Sequence, residues 1–107
     1  MEVITNDQTK CDAALARLYD VYDPEIGLNV VDLGLIYGIN FSEERKGIEV
    51  VMTLTTQFCP MGESITNDVT QAVSNAFEDH KVMVTLTFDP AWSPDFMSPE
   101  GEAFLNG

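Results

Sequence analysis

Apolar residues recur at two different periods along this chain, and the switches between them mark out its elements. Over residues 7–22, DQTKCDAALARLYDVY, Leu15, Leu18, Tyr19 and Tyr22 fall at helical spacing, with Cys11 and Ala14 on or near the same face. Asp7 or Thr9 is the N-cap that this helix predicts. Residues 35–42, LIYGINFS, alternate instead, with Tyr37, Ile39 and Phe41 on one face and Gly38 and Asn40 on the other. Residues 48–56 alternate too, through Ile48, Val50, Met52 and Leu54. The polar EERKG between them predicts a β-hairpin with a loop of several residues. A second helix is expected from about 62 to 78, burying Ile65, Val69, Ala72, Val73, Ala76 and Phe77. Val82, Val84, Leu86 and Phe88 then mark a third strand.

The connections are less regular. In DPEIGLNVVDLG, residues 23–34, Asp before Pro and then Glu is a helix-start signal that Gly27 stops almost at once. A single helical turn is expected there, then extended chain through Val30 and Val31, then a turn at residues 32–34. The first six residues read as a flexible N-terminus. Residues 90–107 read as a mostly irregular tail, with a short helical turn near 99–105. The order α-β-β-α-β makes strands two and three parallel, because a helix crosses between them, while the hairpin pair is antiparallel. The whole chain is therefore expected to be one two-layer α+β domain, a small mixed sheet with two helices on one face.

Length and composition fit this picture: 107 residues, 45% hydrophobic and 21% charged, suit a single modest core. Charge changes it. Eighteen acidic residues against five basic give −13, a field that repels phosphate backbones and anionic membrane surfaces. Basic proteins and metal cations suit such a surface, although the same charge also serves solubility alone. The opening MEVITNDQTK has no apolar signal-peptide core, and no apolar run approaches membrane-spanning length. Two cysteines, Cys11 and Cys59, belong to no CxxC and read as free thiols of a reducing cytoplasm.

Cys11 reads as a small apolar residue of the first helix. Cys59 is placed differently, in TTQFCPMGES, between a strand and a helix and directly before Pro60. Proline suits the first helical position, which puts Cys59 at or near the N-cap. Unpaired N–H groups and the positive end of the helix dipole favour its thiolate. Thr55 and Thr56 add hydroxyls beside it, and Gly62 allows close approach of a ligand or another chain. The ordinary alternative is an inert cysteine buried under the tail. A cysteine hydrolase would need a base, and His80 lies some ~24 Å away along the second helix. His80 and Lys81 read instead as a cationic pair at that helix's C-terminus. A structural zinc site is excluded by the lack of four closely spaced ligands. One thiolate still serves as one ligand of a shared or transient iron–sulfur centre, the others coming from a second subunit, a client or a small thiol. Asp23, Glu25 and Asp32 are the remaining candidates, with turn-forming structural roles as the plainer reading.

Three separated stretches, DPEIGLNVVDLGLIYGI (23–39), TLTTQFCPMG (53–62) and AWSPDFMSPEG (91–101), resemble the DUF59 or MIP18 family. That family includes SufT-type iron–sulfur assembly factors and a PaaD-type subunit. The resemblance runs from about residue 9 to 105. It implies an α+β domain of the iron–sulfur-assembly type and a role in maturing iron–sulfur proteins, by carrying a cluster or adapting a client to the assembly machinery. Carried over by position, Cys59 is the reactive cysteine and the ligand of a transient cluster or iron. Asp23, Glu25, Thr55 and Thr56 fall on the implied pocket, and Asp32 on the second acidic position of the first motif. Trp92 and the tail either cover that site or simply pack over the sheet. Partners implied are assembly proteins and client apoproteins.

An assembly factor that is not itself an enzyme is thus the leading expectation. A PaaD-like subunit of a multicomponent oxygenase is the alternative, although no cysteine-rich C-terminal extension follows here. An independent thiol enzyme is disfavoured by the missing base. Homodimers through an exposed strand edge or an exchanged tail would bring two Cys59 together.

Overall fold

The computed structural model describes residues 3–55 and 62–106. Its elements in chain order are β1 (Ile4–Thr5), α1 (Gln8–Leu18), β2 (Tyr22–Asp23), β3 (Leu28–Asn29), β4 (Ile36–Ser42), β5 (Gly47–Met52), α2 (Gly62–Ala76) and β6 (Lys81–Leu86). A 3-10 turn, Pro94–Phe96, and α3 (Pro99–Asn106) close the chain. One sheet has the order β1-β4-β5-β6, with β4 and β5 antiparallel and the two outer pairs parallel. This is the mixed sheet and α+β class that the two periodicities predict. Ile39, Phe41, Ile48, Val50 and Met52 from the sheet meet Cys11, Ala14 and Leu18 of α1 and Ile65, Val69 and Val73 of α2 in one core. No helix among the described residues is long and apolar enough to cross a membrane.

Several expectations need correction. The first helix ends at Leu18, and Tyr19 and Tyr22 are exposed rather than buried. Asp7 caps it by accepting from the Lys10 amide. Residues 22–29 form a small antiparallel hairpin whose loop holds the expected single turn, the Asp23 carbonyl accepting from Ile26 and Gly27. The Asp-Pro-Glu signal is local and fits both, because an Asp carboxylate caps a turn amide in either. Gly27, at φ +82°, turns the chain back before a helix propagates. The N-terminal six residues contain β1, which pairs with β4 at Ile4↔Gly38.

Tyr37 does not share a face with Ile39 and Phe41. A β-bulge between Ile36 and Gly38 interrupts the ladder to β5, so the alternation restarts there. His80 is not a helix cap either. α2 ends at Ala76, and the His80 ring folds against Phe77 and onto the Asp79 carboxylate, 2.9 Å away.

Cys11 is fully buried, as its place in α1 predicts. Burial pushes its thiol above the ordinary thiol value, with Asp12 adding to the shift and a Thr5 contact opposing it. The unfolded chain then releases this proton first as pH rises. Stability from this group is intact below about pH 9 and declines as pH climbs from there toward the raised folded value. Urea midpoints measured near pH 8 and near pH 9.5 should differ by less in Cys11→Ala than in the parent chain.

Candidate functional site

One backbone hydrogen bond ties the first motif to the second, and two more fold the first motif beside it. Val30 donates to Val21 O (2.9 Å), Leu35 to Val30 O (3.1 Å) and Thr53 to Leu35 O (2.9 Å). Val21 and Val30 continue the β2–β3 hairpin, the Leu35 bond closes the turn that ends at Gly34, and Thr53 meets Leu35 just past the end of β5. The Asp23 hairpin and the Thr53-Leu54-Thr55 segment are therefore brought to one end of the molecule. That end is also where β6 finishes, since Thr87 donates to Met52 O at 2.9 Å.

Each candidate residue has a definite place. Asp23 is buried, and its Oδ1 accepts from the Glu25 amide at 2.9 Å while its carbonyl accepts from Ile26 and Gly27. It builds the turn that presents Glu25, which is exposed. Thr55 is half-buried beyond the end of β5. Thr56 and Cys59 lie outside the described residues. Gly62 begins α2, and its role differs from the expected approach of a ligand: a Cβ there would meet Leu54 Cδ1 at 2.7 Å. The helix start is packed on the strand it follows.

Asp32 joins the first motif to the tail. Its Oδ2 accepts from Asn29 Nδ2 (2.7 Å) and its Oδ1 from Ser98 Oγ (2.8 Å). Its carbonyl accepts from the Ser98 amide (2.9 Å), and its own amide donates to Asn29 Oδ1 (2.8 Å). Ser98 Oγ also accepts from the Gly101 amide (3.0 Å) at the start of α3. One carboxylate thus locks a turn and a helix start together. Charge-assisted bonds of this kind are worth more than neutral ones. Asp32→Ala is expected to lower stability by about 2–3 kcal/mol, and Ser98→Ala by about 1, in urea titrations.

The rest of the tail is seated in the same way. Trp92 Nε1 donates to Leu33 O at 2.6 Å, and Tyr37 Oη to Pro90 O at 2.8 Å. Phe96 meets Tyr37 edge-on, ring centres 5.9 Å apart. Burial pushes the Tyr37 phenol above its ordinary 10.0, with a contact to Thr53 opposing. Sequence reasoning passed over Tyr37, Thr53, Asn29 and Ser98 as site-end residues. Thr53 and Tyr37 stand inside the quoted motifs, and their hydroxyls were the available signal. Among the described residues no group of three or more His, Cys, Asp or Glu side chains gathers as a metal would require.

The model of the family described as "Iron-sulfur cluster assembly protein" matches residues 12–86. The chain belongs to this family. A Porphyromonas gingivalis relative named Fe-S protein maturation auxiliary factor is 43% identical over 83 residues, covering 78% of each chain. The Staphylococcus aureus Fe-S protein maturation auxiliary factor SufT is 39% identical, covering 73% of this chain and 88% of that one. Among solved structures, a DUF59 domain from Bacillus anthracis superposes with a TM-score of 0.86 at 30% identity, over 92% of this chain and 93% of that one. The family resemblance carried by the three motifs is thereby established. The match to the iron–sulfur assembly family takes in Asp23, Thr55, Cys59 and the whole of α2, and stops at Leu86, before the tail.

Proposed function

We propose that this chain serves the maturation of iron–sulfur proteins, with Cys59 as the thiolate that handles the iron or sulfide cargo. The family match across residues 12–86 carries this reading, because that span takes in the Asp23 hairpin and the β5-to-α2 connection together. Cys59 stands three residues before Gly62, the first residue of α2, in sequence. The N-terminus of a 15-residue helix favours negative charge close to it. A thiolate there binds iron more readily than a thiol. Glu25 offers an exposed oxygen donor on the turn that Asp23 holds, and Thr55 and Thr56 offer hydroxyls. With so few ligands of its own the chain releases cargo to a client apoprotein, which completes the coordination. It acts in this role as an auxiliary factor of the cytoplasmic assembly machinery, not as a catalyst.

The test is genetic and enzymatic. In cells lacking this chain, iron–sulfur enzymes should lose activity relative to their protein levels, most sharply under iron limitation, while flavin enzymes without clusters keep theirs. Unchanged iron–sulfur activities would refute the reading. A loss confined to one oxygenase complex would favour the subunit alternative.

A further inference from the structure

Among the described residues β6 is one of the two edge strands of the sheet, opposite the two-residue β1. Its parallel ladder to β5 uses the Lys81 and Thr87 amides, which donate to Lys46 O and Met52 O. By alternation the N–H and C=O groups of Val82, Val84 and Leu86 point away from β5. Among the described residues none of these outward groups meets a backbone partner. Proteins usually guard such an edge with charge, proline or a bulge. This one is unguarded. The stretch 81–88, KVMVTLTF, holds no proline and no carboxylate, in a chain with eighteen acidic residues. Leu86 and Phe88 are also exposed, at 43% and 38%.

We propose that a second copy of this chain covers the edge, by antiparallel pairing of two β6 strands about a two-fold axis at Thr85. The side chains select this register. It sets Val84 opposite the partner's Leu86, Val82 opposite the partner's Phe88, and Lys81 opposite the partner's Asp89. Val82, Val84, Leu86 and Phe88 each meet an apolar residue, Met83 meets the partner's Thr87, and the strand's lone cation meets an exposed carboxylate just past its end. The neighbouring register, centred on Val84, would instead set Asp79 against the partner's Asp89, a repulsion made twice by symmetry. Val84 and Leu86 direct their amides outward, so they form the hydrogen-bonded pairs on either side of the axis. Thr85 then faces its own copy in a non-hydrogen-bonded pair, Cα atoms about 4.5 Å apart.

The pairing has a consequence for the site. β5 and β6 are parallel and Val51 pairs with Thr85, so the axis passes level with the end of β5: the two β5 strands lie three strand spacings (~14 Å) apart and point in opposite directions. The residues 53–55 that follow each β5 then run away from those of the partner.

Cross-linking tests the register. In a Cys59→Ser background, Thr85→Cys should form an intermolecular disulfide under mild oxidation, since about 4.5 Å between Cα atoms suits one. Met83→Cys, facing the partner's Thr87, should not. Sedimentation at about 100 µM should give a two-chain mass for the parent and a one-chain mass for Val84→Pro, which removes an outward amide. Lys81→Glu should weaken the dimer about tenfold, and Lys81→Glu with Asp89→Lys should restore it. A one-chain mass for the parent, or equal cross-linking at residues 83 and 85, overturns the proposal. Cross-linking does not depend on how well the proline variant folds, and none of these results depends on the role in iron–sulfur maturation.

Discussion

Gly34→Ala should unseat the C-terminal tail and cost about 3–5 kcal/mol, a large part of what a domain of this size holds. Two effects add. Gly34 sits at φ +79°, where a side chain costs on the order of 1 kcal/mol. A Cβ there would also stand 2.3 Å from the Phe96 carbonyl oxygen and 2.7 Å from its carbon. Those are backbone atoms, so no rotamer change relieves the clash; the tail itself has to move. Moving it breaks the Trp92 bond to Leu33 and the Ser98 bonds to Asp32, and exposes buried Met97. Gly27 supplies the control. It has nearly the same φ, +82°, but nothing lies within 4 Å of its added Cβ. Gly27→Ala should therefore cost only about 1 kcal/mol. Trp92 is the single tryptophan, so its emission reports the tail directly. It should shift to the red in Gly34→Ala and stay unchanged in Gly27→Ala. Equal losses in the two variants would mean that the close approach of Phe96 contributes nothing.

Cys59→Ser should abolish complementation of cells lacking this chain while leaving the urea midpoint within about 0.5 kcal/mol of the parent, since it exchanges one small side chain for another. A hydroxyl at that place stays protonated near neutral pH and is a poor ligand for iron, so only the thiolate chemistry is lost. Alkylation separates this from an effect on folding. Cys59 should react rapidly and titrate below the ordinary thiol value of about 8.5, by the helix-end argument. Cys11, buried and pushed upward, should react only as the chain opens. If Cys59→Ser complements fully, sulfur chemistry at this position is not what the chain supplies, and an adaptor role through binding surfaces alone would replace it. Equal alkylation of the two cysteines would remove the helix-end account.

The elements that periodicity fixes are those whose burial is one-sided and repeated. Ile48, Val50 and Met52 alternate because one face of β5 meets the helices. Ile65, Val69 and Val73 recur at helical spacing for the same reason. Such patterns extend over many residues and survive local noise, so the α+β class and the parallel β5–β6 crossover were legible without coordinates. The strand before Cys59 and the helix after it were legible too, because their apolar periods change across that stretch.

Other features depended on partners distant in sequence. Asp23-Pro24-Glu25 signals a capped turn, but only Gly27 and the pairing of Tyr22 with Asn29 make it a hairpin. β1 is two residues long and carries no period; it exists because β4 offers it an edge. Tyr37 alternates in the sequence with Ile39, yet a bulge breaks that alternation and leaves its hydroxyl to Pro90. Asp32 and Ser98 stand 66 residues apart, and nothing within either motif names the other. Chain composition and spacing thus determined which segments become helices and strands, since short-range burial and backbone preference suffice for that. The tertiary structure alone decided which turns they close, which carboxylate locks the tail and which edge stays open, because each of those depends on hydrogen bonds and contacts between segments the chain brings together only on folding.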